Sequence, residues 1–163
     1  PSTATGSVQL YDGTKKLGAA IKLSGGIART SVTTLSVGSH KVHAVYLGSA
    51  TFAGSTSSTV SVKVAKAKVT SVKVSGKAFA KGTRPVVTVT VGKLDNGSRA
   101  AGKVAVSVNG KKVTTVTLKA SRSSVTVRLP KAYSSAVSVK ATFTPSSSSV
   151  AAKSSSAVKV RVR

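Results

Sequence analysis

Acidic and histidine side chains, which most enzymes need for proton transfer, are few in this sequence. Its 163 residues include two acidic residues and two histidines. His40 and His43 are three residues apart in a strand-like segment, so alternation puts them on opposite faces and they cannot easily share a metal ion. Asp12 and Asp95 stand in the turn-forming sequences YDG and LDNG, where Asp can bond to the local backbone. These residues therefore predict neither a catalytic carboxylate pair nor a metal site.

The remaining side chains that could take part in catalysis lack partners. The sequence has no cysteine, which excludes thiol chemistry, disulfides and thiolate metal sites. Its many serines have no acid and base beside them, and we assign them to turns and loops. The segment SGGIA (24–28) lacks the lysine and the following helix of a phosphate-binding loop. We therefore predict a protein that is not an enzyme and that uses no cofactor.

Positive charge is what the sequence supplies in excess. It has 26 Lys and Arg residues against two acidic ones, for a net charge of +24 at pH 7. A charge of this size attracts polyanions over a Debye length, about 10 Å at 0.1 M salt. No apolar run is long enough to span a membrane. An anionic polymer is thus the partner that the composition favours.

The elements that must position these charges are β-strands. Apolar and polar residues alternate throughout, as in AVSVKATF (136–143), and no segment has a convincing helical period. Short strands separated by Gly, Asn and Ser turns predict a β-sandwich. In the second half of the chain we expect seven strands, over residues 69–74, 86–91, 104–108, 113–118, 125–129, 137–143 and 158–162.

An internal repeat divides the chain into two domains. The segment TGSVQLYDG (5–13) returns as AGKVAVSVNG (101–110), with Gly13 matched to Gly110, and TVSVKV (59–64) returns as AVKVRV (157–162). The repeat predicts a boundary in AKAK (65–68), which gives one domain over residues 1–65 and a second, complete one over residues 66–163. The second copy is preceded by two strands, within residues 69–94, for which the first has no counterpart.

The first domain is therefore expected to lack its first two strands. Their absence would leave a core face uncovered and a sheet edge unpaired. We expect Val8 and Leu10 to mark this pairing edge, and a second copy or another neighbouring chain to supply the missing strands. The alternative is that these strands lie upstream of Pro1 in a longer polypeptide.

Candidate polyanion-binding residues follow from the outward strand positions. If the third, sixth and seventh strands of the second domain share a sheet, as immunoglobulin-like order requires, their outward cations gather on one face. The alternative is that these side chains only keep strands from aggregating. The candidates are Lys103, Lys140, Lys159 and Arg161, with Lys63 on the corresponding face of the first domain.

The first half resembles a known family over residues 5–23 and 38–64. The segments TGSVQLYDGTKKLGAAIKL and GSHKVHAVYLGSATFAGSTSSTVSVKV are similar to bacterial immunoglobulin-like repeats, which occur in tandem on surface and secreted proteins, especially of actinobacteria. The second half is a more divergent relative, with Pro145 in the place of Gly48. The residues that match the family pattern are Gly38, His40, Ala44, Tyr46, Gly48, Phe52, Gly54 and Ser55.

The resemblance implies an all-β protein of tandem immunoglobulin-like sandwiches, secreted or located at the cell surface or cell wall. It implies a structural, spacer or adhesive role, and the anionic partner would be wall teichoic acid or another acidic glycan. A decoration or fibre domain of a bacteriophage virion is an alternative. A nucleic-acid-binding protein is another, although no exposed aromatic residues for stacking on bases are visible.

Overall fold

The chain folds into two compact units, Pro1–Ala65 and Lys66–Arg163, in a computed structural model that describes residues 4–163. Residues 4–163 form no helix. Val and Thr dominate the strands because their β-branched side chains fit a pleated surface. The prediction of an all-β, immunoglobulin-like fold is confirmed.

The first unit is a single five-stranded antiparallel sheet. Its order is β2-β1-β3, and both β4 and β5 pair with the far side of β3. The strands are β1 (Ser7–Asp12), β2 (Lys15–Lys22), β3 (Gly38–Tyr46), β4 (Ser55–Thr56) and β5 (Val60–Val64).

Val8 and Leu10 do not lie on a sheet edge, which corrects the prediction made for them. Their strand, β1, pairs with β2 on one side and with β3 on the other, where Val8 is opposite Tyr46. The reason is the tight turn after Asp12, which folds β2 back onto the side of β1 that would otherwise be open. The two side chains instead belong to one face of the sheet.

That face of the first unit, which we call the inner face, has no covering layer within residues 4–65. Its apolar side chains, among them Val8, Leu10 and Tyr46, are only half-buried. Within residues 4–65 the buried side chains are those of Gln9 and His40, and no apolar one is buried. The first unit therefore has strands without a closed core.

The second unit is a sandwich. One sheet has the order β10-β9-β12, with β14 and β15 against β12, and the other has the order β11-β8-β7. The main strands are β7 (Val72–Gly76), β8 (Val86–Val91), β9 (Gly102–Val108), β10 (Lys111–Leu118), β11 (Ser124–Arg128), β12 (Val137–Pro145) and β15 (Val158–Val160). The short ones are β6 (Ala67–Lys68), β13 (Val150–Ala151) and β14 (Lys153–Ser154).

The core of the second unit lies between these sheets. Val87 and Val89 from one sheet and Val104, Val106 and Phe143 from the other are 0% exposed. Each alternates along its strand with more exposed residues, so one face of each sheet is apolar. All seven strands expected from the sequence are present.

Two backbone segments approach each other closely at the start of the repeated strand in both units, at Gly102 and at Gly6. A Cβ atom on Gly102 would lie 2.7 Å from the Phe143 ring and would collide with the carbonyl oxygen of Thr144. A Cβ atom on Gly6 would likewise collide with the carbonyl oxygen of Gly48. Only glycine lets the two backbones approach this closely.

The first hairpins of the two units close with two-residue turns of equal length. Gly13 (φ 56°) and Asn109 (φ 48°) hold the first turn position, so Gly13 is equivalent to Asn109 and not to Gly110 as predicted. Asn109 and Gly110 both have positive φ, as the turn favoured by Asn-Gly requires. Beyond these equal turns, the strand register shifts in both units, within β2 of the first and within β10 of the second.

The units differ in the connection that follows this hairpin. In the second unit it contains β11, which pairs with β8 along its whole length. In the first unit residues 28–36 form no strand. This difference is consistent with the absence, within residues 4–65, of any strand equivalent to β8.

Candidate functional site

The four candidate cations of the second unit lie on the outer side of its larger sheet. Lys103 on β9 and Lys140 on β12 alternate with buried core residues, and Lys159 on β15 precedes the buried Val160. Arg161 follows β15 and is exposed. We call Lys103, Lys140, Lys159 and Arg161 the basic face.

Strand register sets the spacing of these charges. Lys159 on β15 is opposite Ser138 on β12, and Ser138 is two residues from Lys140 along β12. Such diagonal neighbours are about 7–8 Å apart, so these two ammonium groups can contact one anionic chain. Lys103 is opposite Thr144, four residues from Lys140, which is about 13 Å along the strand. The structure therefore places Lys140 beside Lys159, and Lys103 at the far end of the face.

Lys112 was missed by the sequence analysis and belongs beside the basic face. It is opposite Ser107 on β9, and Ser107 is also opposite Lys140 on β12. The three residues thus form one row across three strands. The β-bulge between Lys112 and Thr114 breaks the alternation, which is why the predicted strand began only at residue 113.

Lys63, the candidate of the first unit, is exposed on β5 opposite Ser39. Its neighbours are less basic than those of Arg161, because the positions equivalent to Lys140 and Lys159 hold His43 and Ser61. His43 stacks on the Tyr11 ring with centroids 5.3 Å apart. Lys41 lies two residues from Ser39 along β3, so Lys41 and Lys63 are diagonal neighbours and form a smaller pair of cations on this face of the first unit.

His40 and Asp12 form a pair that the sequence analysis did not predict. His40 Nδ1 lies 2.6 Å from Asp12 Oδ2, and His40 Nε2 lies 2.8 Å from the carbonyl oxygen of Ser36. The second carboxylate oxygen of Asp12 accepts the Lys41 backbone N–H at 3.0 Å. Asp12 therefore joins β1 to β3 besides closing its own turn.

Charge and hydrogen bonding shift both groups of this pair. The hydrogen bond to Asp12, helped by the one to the Ser36 carbonyl, raises the pKa of His40. The hydrogen bond from His40 lowers the pKa of Asp12, although partial burial opposes this. Because a carboxylate and a carbonyl both only accept, both contacts are satisfied when His40 is an imidazolium whose two ring nitrogens donate. A ring with both N–H groups engaged has no lone pair to act as a general base.

Other chemistry is sparse in the described part of the chain. Within residues 4–163 no group of three or more His, Asp or Glu side chains could hold a metal ion. The His40–Asp12 contact is the one ion pair among these residues. The cations of the basic face thus have no carboxylate partner there. No helix among the described residues is long and apolar enough to cross a membrane.

Comparison with known families finds a family match for the first unit. Residues 1–65 match the family model described as Bacterial Ig-like domain (group 3), whereas no curated protein matches the chain. Domains of this group are often found in surface or secreted proteins and are generally not enzymes. The resemblance predicted from the sequence is confirmed. The match and the β-strand fold together identify residues 1–65 as a bacterial immunoglobulin-like domain.

Proposed function

We propose that the chain is a non-enzymatic structural or adhesive module of an extracellular or cell-surface assembly. Its basic face would bind an anionic polymer, such as wall teichoic acid or another acidic glycan. The observation that carries this proposal is the Lys140–Lys159 pair, which continues into Arg161 and Lys112 on one side of one sheet.

The electrostatics of the chain favour a polymer over a small anion. Like charges on neighbouring strands repel each other when no counter-charge is present. A polyanion removes this repulsion at several positions at once and releases its own counterions. The net charge of +24 adds long-range attraction that does not depend on the sequence of the polymer.

The salt dependence of binding tests this proposal. Replacing Lys103, Lys140, Lys159 and Arg161 together with Gln should lower the slope of log K against log salt for teichoic acid. The expected loss is roughly 0.7–0.9 for each phosphate contact removed. Duplex DNA, measured in parallel, shows whether nucleic acid is the better ligand.

A matched control removes the same charge elsewhere. Lys73, Lys77, Lys93 and Arg128 are exposed in the second unit and lie outside the basic face. Their replacement with Gln should reduce the slope much less. Equal slopes for the two fourfold variants would leave the basic face with only a role in solubility.

We also propose that strands from a neighbouring chain complete the first unit. The observation behind this is the inner face, where no apolar side chain of residues 4–65 is buried. In the second unit the equivalent face is covered by β7, β8 and β11. An antiparallel strand pair with alternating apolar residues is therefore the occupant that fits. Such addition of strands is a common mode of protein association.

A further inference from the structure

A cleft of 630 Å³ lies in the second unit between the β9–β10 turn and the connection from β11 to β12. The start of β10, next to the turn, contributes Lys111 and Lys112 to its lining. The connection contributes Pro130, Lys131 and Tyr133. Three lysines from two separate segments thus line one concave surface that also has apolar walls.

Hydrogen bonds hold the turn side of the cleft in place. The Asn109 N–H donates to the Ser138 carbonyl at 2.8 Å, and Asn109 Oδ1 accepts the Ser138 N–H at 2.9 Å. These two bonds attach the turn to β12. Lys111 and Lys112 therefore start from a fixed backbone, which lowers the entropic cost of binding a ligand.

The opposite side of the cleft is held in a similar way. Leu129, next to Pro130, is fully buried. The Tyr133 N–H donates to the Thr83 carbonyl at 3.0 Å, and the Tyr133 carbonyl accepts the Gly82 N–H at 2.9 Å. The Tyr133 side chain is half-buried, so one part of the ring remains open to the cleft.

The lining combines a flat apolar surface with positive charge. Ligand pockets are typically concave and largely apolar, with a few polar groups that fix orientation. An aromatic ring next to a proline suits the apolar C–H face of a pyranose, and the ammonium groups suit an acidic substituent on the same sugar. A bare phosphate chain would use only the lysines.

We propose that this cleft binds an acidic pyranose unit of an anionic polysaccharide. The proposal rests on the proposed function and deepens it, since Lys112 also lies in the row that contains Lys140. A polysaccharide seated in the cleft can therefore continue onto the basic face. Tyr133 and Pro130 contact the ring, while Lys111, Lys112 and Lys131 contact its acidic groups.

The first unit supplies an internal control for this site. Strand register makes Lys15 and Lys16 equivalent to Lys111 and Lys112. In the first unit Lys15 is opposite Asp12 and Lys16 is opposite Tyr11. In the second unit Lys111 is opposite Val108 and Lys112 is opposite Ser107. Residues 30–39, which precede or begin β3, contain neither a lysine nor an aromatic residue. The first unit thus has an equivalent lysine pair but no equivalent of Lys131 and Tyr133 on the opposite side.

Calorimetric titration of the full chain tests the cleft, with oligogalacturonate as the acidic pyranose and inorganic polyphosphate as an anion without a sugar ring. Tyr133→Ala should weaken oligogalacturonate binding about tenfold, or 1.4 kcal/mol, and leave polyphosphate binding within about twofold. Lys111→Gln/Lys112→Gln should weaken oligogalacturonate binding about tenfold, and Lys15→Gln/Lys16→Gln less than about twofold.

The possible outcomes separate this proposal from the broader one. Equal losses for both ligands in Tyr133→Ala, or equal effects of the two lysine pairs, would overturn the cleft and leave polyanion binding intact. A wild-type chain that binds neither ligand would overturn both. If Tyr133→Ala does not fold, Pro130→Ser, a substitution at an exposed position that also lines the cleft, decides the question by the same comparison of ligands.

Discussion

At the scale of the residue, the His40–Asp12 pair is the most specific interaction in the first unit. His40 is 8% exposed, and its ring donates to a carboxylate and a backbone carbonyl that come from different segments. The pair links the turn after β1 to the start of β3. It thus replaces, with a charged contact, part of the cohesion that an apolar core would provide.

We expect the stability of the first unit to depend on pH through this pair. The pKa of His40 is raised, so its contribution is complete below about pH 6.5, the ordinary histidine value, and is lost as pH rises through the raised pKa. The pKa of Asp12 is lowered, so its contribution is lost as pH falls through that lowered pKa. Stability should therefore be greatest between the two pKa values.

Urea unfolding followed by NMR of first-unit amides, across a pH series, measures this effect. His40→Gln should remove the loss of stability on the alkaline side. His43→Gln, on the opposite face of the same strand, should retain it. A first unit whose stability does not change as His40 loses its proton would contradict the assignment.

The sequence could not have predicted this pair. Asp12 and His40 are 28 residues apart, and only the register of β1 against β3 brings them together. Asp12 in YDG, taken alone, indicates a turn, and in the structure Asp12 is indeed the last strand residue before that turn. Lys112 was hidden for a different reason, because the bulge beside it removes the alternation that identified Lys103, Lys140 and Lys159.

At the scale of the element, period-two alternation predicted the strands of the second unit because each has one buried face. Sheet order is a property of the whole fold and leaves little trace in a single strand. For this reason alternation could not show that β1, the strand of Val8 and Leu10, pairs on both sides. The short β6, β13 and β14 have no period to detect.

Truncation of a core-facing side chain should have unequal costs in the two units. Phe143→Ala removes a fully buried ring and should destabilise the second unit by about 3–5 kcal/mol. Leu10→Ala, on the half-buried inner face, should cost the first unit less than about 2 kcal/mol, because its side chain already contacts solvent. Denaturant titrations with NMR probes in each unit compare the two. A cost for Leu10→Ala as large as for Phe143→Ala would show that the inner face is covered in solution.

At the scale of the whole molecule, the net charge of +24 opposes self-association while the inner face of the first unit favours it. Salt screens the first effect much more than the second. The balance between them therefore depends on ionic strength. Completion of the first unit by a second copy should be strongest at high salt.

Light scattering on the purified chain should show assembly that increases with both protein and salt concentration. Val8→Lys, which puts a charge on the inner face, should abolish this assembly. Thr56→Lys adds the same charge at an exposed position opposite Val45, on the other face, and should not. A monodisperse monomer with a cooperatively folded first unit would disprove completion in trans.

The half-buried inner face has a further consequence for how the first unit folds. Burial of apolar surface is the main source of the heat-capacity change of folding, and under the proposed completion most of that burial would be deferred until a strand pair is added. The heat-capacity change should then accompany association, as it does when folding and binding are coupled. The first unit would then reach its full thermodynamic stability only in the assembly, whereas the second unit would reach it within a single chain.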